Sequence, residues 1–249
     1  MILVDKYYIF HISKTGLSFL RYQLYERKKI YFDIQGRIKN EDFKSLHTSH
    51  LTYDELINIK YLKNLLNDDT IFIVIIRNPI ERFNSAFQEY VKQEYFNSNK
   101  IKILNNKNTN KIYQKIIDRL ENLERSNIKT YEKNLVLFKP QHLYLNNIPR
   151  NKIKIFKFGS EELKKFFLNF DIEYKNYKYS DKDLRKSFTY FRNNKLYSLL
   201  LKLDINYLSK FLQFNSKINN FNLDTIIPNF KDDMMQLYKK DFILYDKIK

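Results

Sequence analysis

The chain contains no cysteine and no tryptophan, and only three glycines and four prolines among 249 residues. Without cysteine there is no disulfide framework, no thiol chemistry and no thiolate metal site. No apolar run reaches the length a bilayer needs, and Asp5 and Lys6 interrupt the only apolar start. The expectation is a soluble protein without signal peptide or anchor, located in the cytoplasm. No grouping of histidines and carboxylates has metal-ligand spacing, so no metal is expected. None of the three glycines precedes Lys14. A Gly-x-x-x-x-Gly-Lys-Ser/Thr phosphate loop is therefore missing.

What is present fits a globular protein. The hydrophobic fraction is 43%, and the length suits one α/β domain spanning residues 1–249. The formal net charge of +17 invites a nucleic-acid reading. The basic residues are spread from end to end, however, which disfavours nucleic acid as the partner. They form solvated faces, or they draw in an acidic cofactor or polyanionic acceptor.

The stretch that organises the chain is Tyr8 to Leu20, YIFHISKTGLSFL. Tyr7, Tyr8, Ile9, Phe10 and Ile12 read as a buried strand. Lys14, Thr15 and Gly16 fill a turn, and Ser18 opens a helix. Such a junction aims backbone N–H groups and the positive end of a helix dipole at one spot. With a lysine and two hydroxyls added, it is a cradle for phosphate or sulfate.

Further along, Leu17, Leu20 and Leu24 have helical spacing, and Ile30 to Ile38 reads as extended. Thr52 caps a helix with Glu55 three residues on, running to about residue 67. Thr70 to Ile76 (TIFIVII) is a continuous apolar run rich in β-branched residues, as in a parallel strand covered on both faces. It ends in Arg77-Asn78-Pro79, with Pro79 at the first position of a new helix. In open α/β sheets ligands bind outside the strand ends, so two adjacent units would set Lys14 and Arg77 at one crevice. Residues 97–110 are Asn-rich and read as a mobile loop before a helix at about 111–125. Ile153 to Phe158 is a strand candidate, and Ser160 caps the helix after it. The boundaries within 174–222 stay open, and Pro228 to about Lys240 reads as an amphipathic helix.

Two of these motifs together resemble a known family. HISKTGLSFL is similar to the 5′-phosphosulfate loop of sulfotransferases, and IIRNPIERFNSAF to their 3′-phosphate motif. The resemblance is to carbohydrate sulfotransferases of the heparan sulfate 2-O-sulfotransferase type and their microbial relatives. SHLTY, FKPQHLYL and LYKKDFILYDKI are weaker echoes of the same family. Ser13 stands where the family has Pro, Leu17 where it has a small residue, and Ser49 where it has Gly.

The resemblance implies a P-loop-like parallel sheet flanked by helices, the sulfotransferase fold. It implies 3′-phosphoadenosine 5′-phosphosulfate (PAPS) as donor and a sugar hydroxyl as acceptor, on a glycan or glycolipid that is acidic in keeping with the basic chain. Lys14 would neutralise charge on the leaving 5′-phosphate. The N–H groups of Thr15, Gly16, Leu17 and Ser18 and the Ser18 hydroxyl would hold the nonreacting oxygens. Arg77 and Ser85 would take the 3′-phosphate. His50 would be the general base, with His47 as runner-up and Glu41 or Glu55 as further alternatives. His11 is expected to be a packed strand residue, His142 to line the acceptor cleft, and Arg82 to be structural with Glu81 as partner. The rival readings are a P-loop kinase or NTPase, and a non-enzymatic basic protein that binds polyanions or nucleic acid.

Overall fold

A computed structural model describes residues 2–16, 20, 24, 32–33, 37–38, 46–47, 50–96, 106–125, 135–171 and 222–248. All belong to one unit, Met1–Glu173 together with Asn222–Lys249. The 174–221 part of the basic region read from the sequence lies outside the described residues, as do residues 97–105.

The chain begins with a hairpin. Strands β1 (Ile2–Val4) and β2 (Tyr7–Ile9) pair antiparallel across Asp5 and Lys6, with Asp5 at φ 51°. Aspartate accepts that left-handed conformation at low cost, so the pair that interrupts the apolar start is a turn. The short strands β3 (Phe32–Asp33), β4 (Arg37–Ile38) and β5 (Leu46–His47) follow. With β6 (Ile71–Ile76) and β7 (Ile153–Lys157), the main sheet runs β3-β1-β2-β6-β7, while β4 and β5 form a separate ribbon. Strands β2, β6 and β7 are parallel, in register Ile9 to Ile73 and Ile76 to Lys157.

Every residue of β6 after Ile71 is buried, as a strand covered on both faces requires. Alternation sends Phe72, Val74 and Ile76 to one face, where they cluster with Tyr8, Phe10, Leu51, Leu56 and Leu62. The last two come from helices α1 (Tyr53–Ile57) and α2 (Lys60–Lys63). The single helix expected from Thr52 to about residue 67 is thus broken. Ile59 adopts φ −100°, ψ 102°, yet it still buries its side chain, so the apolar spacing survives the break.

Helix α3 (Pro79–Val91) continues into one turn of π-helix, Lys92–Phe96. Helix α4 (Asn106–Arg125) starts five residues before the sequence reading placed it, inside the stretch read as a loop. Its Thr109 is fully buried, and packing of that face outweighs the poor helix propensity of the asparagines. Among the described residues three 3₁₀ turns, Leu135–Phe138, Gln141–Tyr144 and Arg150–Lys152, precede β7, and α5 (Glu161–Leu168) is capped by Ser160. The chain ends in α6 (Phe230–Leu237) and α7 (Lys239–Lys247), a break at Tyr238 dividing the expected terminal helix. Phe83 binds α3 to the rest through ring contacts of 4.9–6.0 Å with Tyr113, Phe138, Phe230 and Tyr238. The architecture is α/β, a mostly parallel sheet flanked by helices. Among the described residues no helix is long and apolar enough to cross a membrane.

Candidate anion-binding site

Strands β2, β6 and β7 all leave the sheet at the same edge. The ladder runs one residue past β2, Phe10 N–H donating to Ile73 O at 3.0 Å, before the chain enters the Ser13–Gly16 turn. Lys14 sits at φ 67° and Gly16 at φ 81°. Thr15 is fully buried, and its hydroxyl donates to Ile12 O at 2.9 Å. The Thr15 hydroxyl thus closes the turn, so toward an anion Thr15 offers its backbone N–H. Leu20 N–H reaches Gly16 O at 3.5 Å, and Leu20 and Leu24 are helical and buried. Leu17 and Ser18 lie outside the described residues.

Gly16 is required by its surroundings as well as by its φ. A Cβ there would stand 2.3 Å from Phe158 Cε2. Phe158 lies just past β7, with its N–H on Ile76 O at 2.7 Å, and the Arg77 guanidinium is 5.3 Å from its ring centroid. Gly16→Ala is expected to cost about 2–3 kcal/mol, from the left-handed backbone and the displaced ring. By calorimetric melting that is a fall of roughly 5–10 °C for a chain of this size.

Arg77 meets the Lys14 turn directly, its Nη1 donating to Lys14 O at 3.4 Å. Its Nε donates to Glu81 at 3.1 Å. Asn78 Oδ1 accepts from Ile80 N–H and Glu81 N–H, so the start of α3 is capped by its own side chain, and Pro79 follows the cap. Lys14 Nζ is 3.7 Å from Glu89, near the far end of α3. Burial opposes the Glu89 charge, but Lys14, a hydrogen bond from Gln93 and the Lys92 charge outweigh it and lower its pKa. Glu81, Ser85 and Glu89 are spaced four residues apart and share one helical stripe. Ser85 therefore stands one turn from each carboxylate, and the two anchor points are roughly 12 Å apart along the axis.

His50 lies beside the same turn. Its Nδ1 is 2.8 Å from His11 O and 3.2 Å from Ser13 Oγ, and the His11 and His50 rings are 4.7 Å apart. A carbonyl oxygen only accepts, so Nδ1 carries the proton and the lone pair of the neutral ring is on Nε2. The side chain of His47 and all of Glu41 lie outside the described residues.

Two expectations need correction. Glu55 is unsuited to act as a base. It accepts from Thr52 N–H at 2.7 Å as the partner in a capping box, and both of its oxygens meet Lys139 Nζ, at 2.9 and 2.8 Å, in a buried pair. Arg82 is structural as expected, buried with Nη1 on Leu137 O and its guanidinium 5.5 Å from the Tyr238 ring, but Glu81 is not its partner. Successive helical residues point about 100° apart, and Glu81 turns to Arg77. His142 is held from one side, its Nδ1 lying 2.7 Å from Asp241, which is fully buried on α7.

Gln141 is a contact that sequence reading missed. Its side chain accepts from Arg77 N–H and donates to Arg77 O, both at 2.8 Å. Proline-glutamine at 140–141 was noticeable, but nothing local discloses a partner 64 residues upstream. Among the described residues no group of three or more histidines and carboxylates could hold a metal ion. Comparison with protein-family models, with curated proteins and with solved structures returns no match.

Proposed function

We propose that the chain is a sulfotransferase that moves a sulfuryl group from PAPS to a carbohydrate hydroxyl by in-line displacement, on a sulfotransferase-type fold. The observation that carries this reading is the contact of Arg77 with the Lys14 turn, across adjacent parallel strands. It sets the two motifs that resemble the donor-binding motifs of sulfotransferases against each other. Fit to the nucleotide is supported by what the two cations already hold. Lys14 and Arg77 each face a carboxylate oxygen within 4 Å, at positions separated along one helix. A nucleotide with a phosphate on either side of its ribose offers anionic oxygens at two such positions.

In this reading Lys14 and the N–H groups of the turn hold the 5′-phosphate, and Arg77 with Ser85 holds the 3′-phosphate. PAPS supplies the sulfuryl group and a phosphate leaving group. The protein supplies alignment and charge neutralisation. Lys14 would set its ammonium against the negative charge that grows on the bridging oxygen. His50, its tautomer set by the His11 carbonyl, accepts the acceptor hydroxyl proton on Nε2. The +17 net charge favours an acceptor that is itself acidic.

The test is incubation with labelled PAPS and a panel of neutral and acidic glycans. Sulfate should appear on at least one of them, and no label transfer to any would speak against the reading. With the acceptor so found, His50→Ala is expected to lower kcat by about 10²–10⁴-fold. Donor affinity, read by titration calorimetry, should stay within a few-fold. Undiminished turnover would move the base elsewhere.

A further inference from the structure

Gln141 holds the backbone of Arg77, not its guanidinium. Strand β6 ends at Ile76, whose carbonyl is taken by Phe158 N–H, so Arg77 is the first residue beyond the ladder. There the Gln141 amide replaces a strand neighbour, pairing with both the N–H and the C=O of Arg77. Pro79 restricts the residue before it, and Asn78 sits extended at φ −47°, ψ 126°. Arg77 therefore leaves the sheet from a backbone fixed on both sides.

Gln141 is fixed in turn. It is fully buried, and its own N–H donates to Asp241 Oδ2 at 2.7 Å. His142 N–H donates to Asp241 Oδ1 at 2.9 Å, and His142 Nδ1 is 2.7 Å from the same oxygen. One buried carboxylate in the first turn of α7 thus gathers three contacts from one short turn. The same helix brings Tyr245 to this edge of the sheet. Burial, Glu81 and Asp246 raise the Tyr245 pKa while Arg77 opposes them, and Lys157 Nζ lies 4.6 Å from its ring centroid.

We infer that Gln141 and Asp241 are positioning residues for Arg77, setting its guanidinium against the 3′-phosphate of a nucleotide that neither of them touches. The inference rests on the proposed reading of Arg77. A purely structural role would tie the 141–144 turn to α7 and affect all ligands alike. A positioning role affects the 3′-phosphate alone.

Titration calorimetry of the full chain separates the two, with adenosine 3′,5′-bisphosphate and adenosine 5′-phosphate as probes. The variants are Arg77→Ala, Gln141→Met, which keeps volume and removes both amide bonds, and Asp241→Asn. The wild type should prefer the bisphosphate, and Arg77→Ala should erase that preference. Gln141→Met and Asp241→Asn should each weaken the bisphosphate by about tenfold while leaving the monophosphate within about twofold. The sign at Asp241 is diagnostic. Removing a negative charge would by simple electrostatics tighten a polyanion, so weakening there reports geometry. If Gln141→Met does not fold, Asp241→Asn carries the test alone. Equal losses for both probes, or an intact bisphosphate preference in the folded variants, would overturn the inference while leaving the role of Arg77 standing. A wild type without the preference, or an Arg77→Ala variant that keeps it, would remove the reading of Arg77 and the inference with it.

Discussion

Under the proposed sulfotransferase activity, Lys14→Ala is expected to lower the rate of sulfuryl transfer by about 10³-fold, the scale of losing one donor aimed at developing charge. Little else should change. The Lys14 and Glu89 side chains are 28% and 35% exposed, so water can reach Glu89 when its cation is removed. The backbone at φ 67° suits alanine no worse than lysine, and Thr15 still closes the turn on Ile12. Far-UV circular dichroism and the melting temperature should therefore match the wild type while turnover collapses. If the chain were only a basic polyanion binder, the same change would weaken binding slightly and in proportion to salt, like the loss of any other lysine.

Lys139→Met is expected to destabilise the fold by about 3–5 kcal/mol, because it leaves the Glu55 carboxylate buried without its cation. The Lys139 and Glu55 side chains are 4% and 8% exposed, so water cannot replace the lost partner. The melting temperature should fall by roughly 10 °C. Adding Glu55→Gln should restore much of the loss, since glutamine can still accept from Thr52 N–H in the cap and carries no charge to strand. Burial lowers the Lys139 pKa, with Glu55 opposing. Between that lowered value and the usual lysine value the unfolded chain binds the proton and the folded chain does not. This group's contribution to stability therefore rises with pH across that interval. The Lys139→Met variant should lack that rise.

The strongest features of the fold were legible because they are local. TIFIVII reads as a covered strand, and Asn78-Pro79 marks the helix start that the structure shows. The capping box at Thr52 and the cap at Ser160 also follow from short spacings. Where sequence reading failed, a nonlocal contact or a backbone exception decided. Asp5 and Lys6 read as an interruption because nothing in the sequence shows that Asp5 adopts positive φ. The break at Ile59 is invisible to periodicity, since an extended residue can keep its side chain in the same core. The asparagines at 106, 108 and 110 argue for a loop until Thr109 is packed against the interior.

The same division holds at the site. Lys14, Gly16, Arg77 and His50 stand within or beside recognisable motifs, and the structure brings them to one sheet edge. The groups that hold them in place come from far along the chain. Gln141 is 64 residues from Arg77, Asp241 is 100 from Gln141, and Phe158 closes on Gly16 from past β7. Glu81 is the exception, since it holds Arg77 from four residues away and that pairing follows from helix spacing alone.

The most direct test of the account is calorimetric titration of the wild-type chain with adenosine 3′,5′-bisphosphate in the presence of a chelator, beside a titration with Mg-ATP. The account predicts a saturable one-to-one site for the bisphosphate that needs no divalent metal and outcompetes Mg-ATP. Saturable binding of Mg-ATP with no response to the bisphosphate would contradict it.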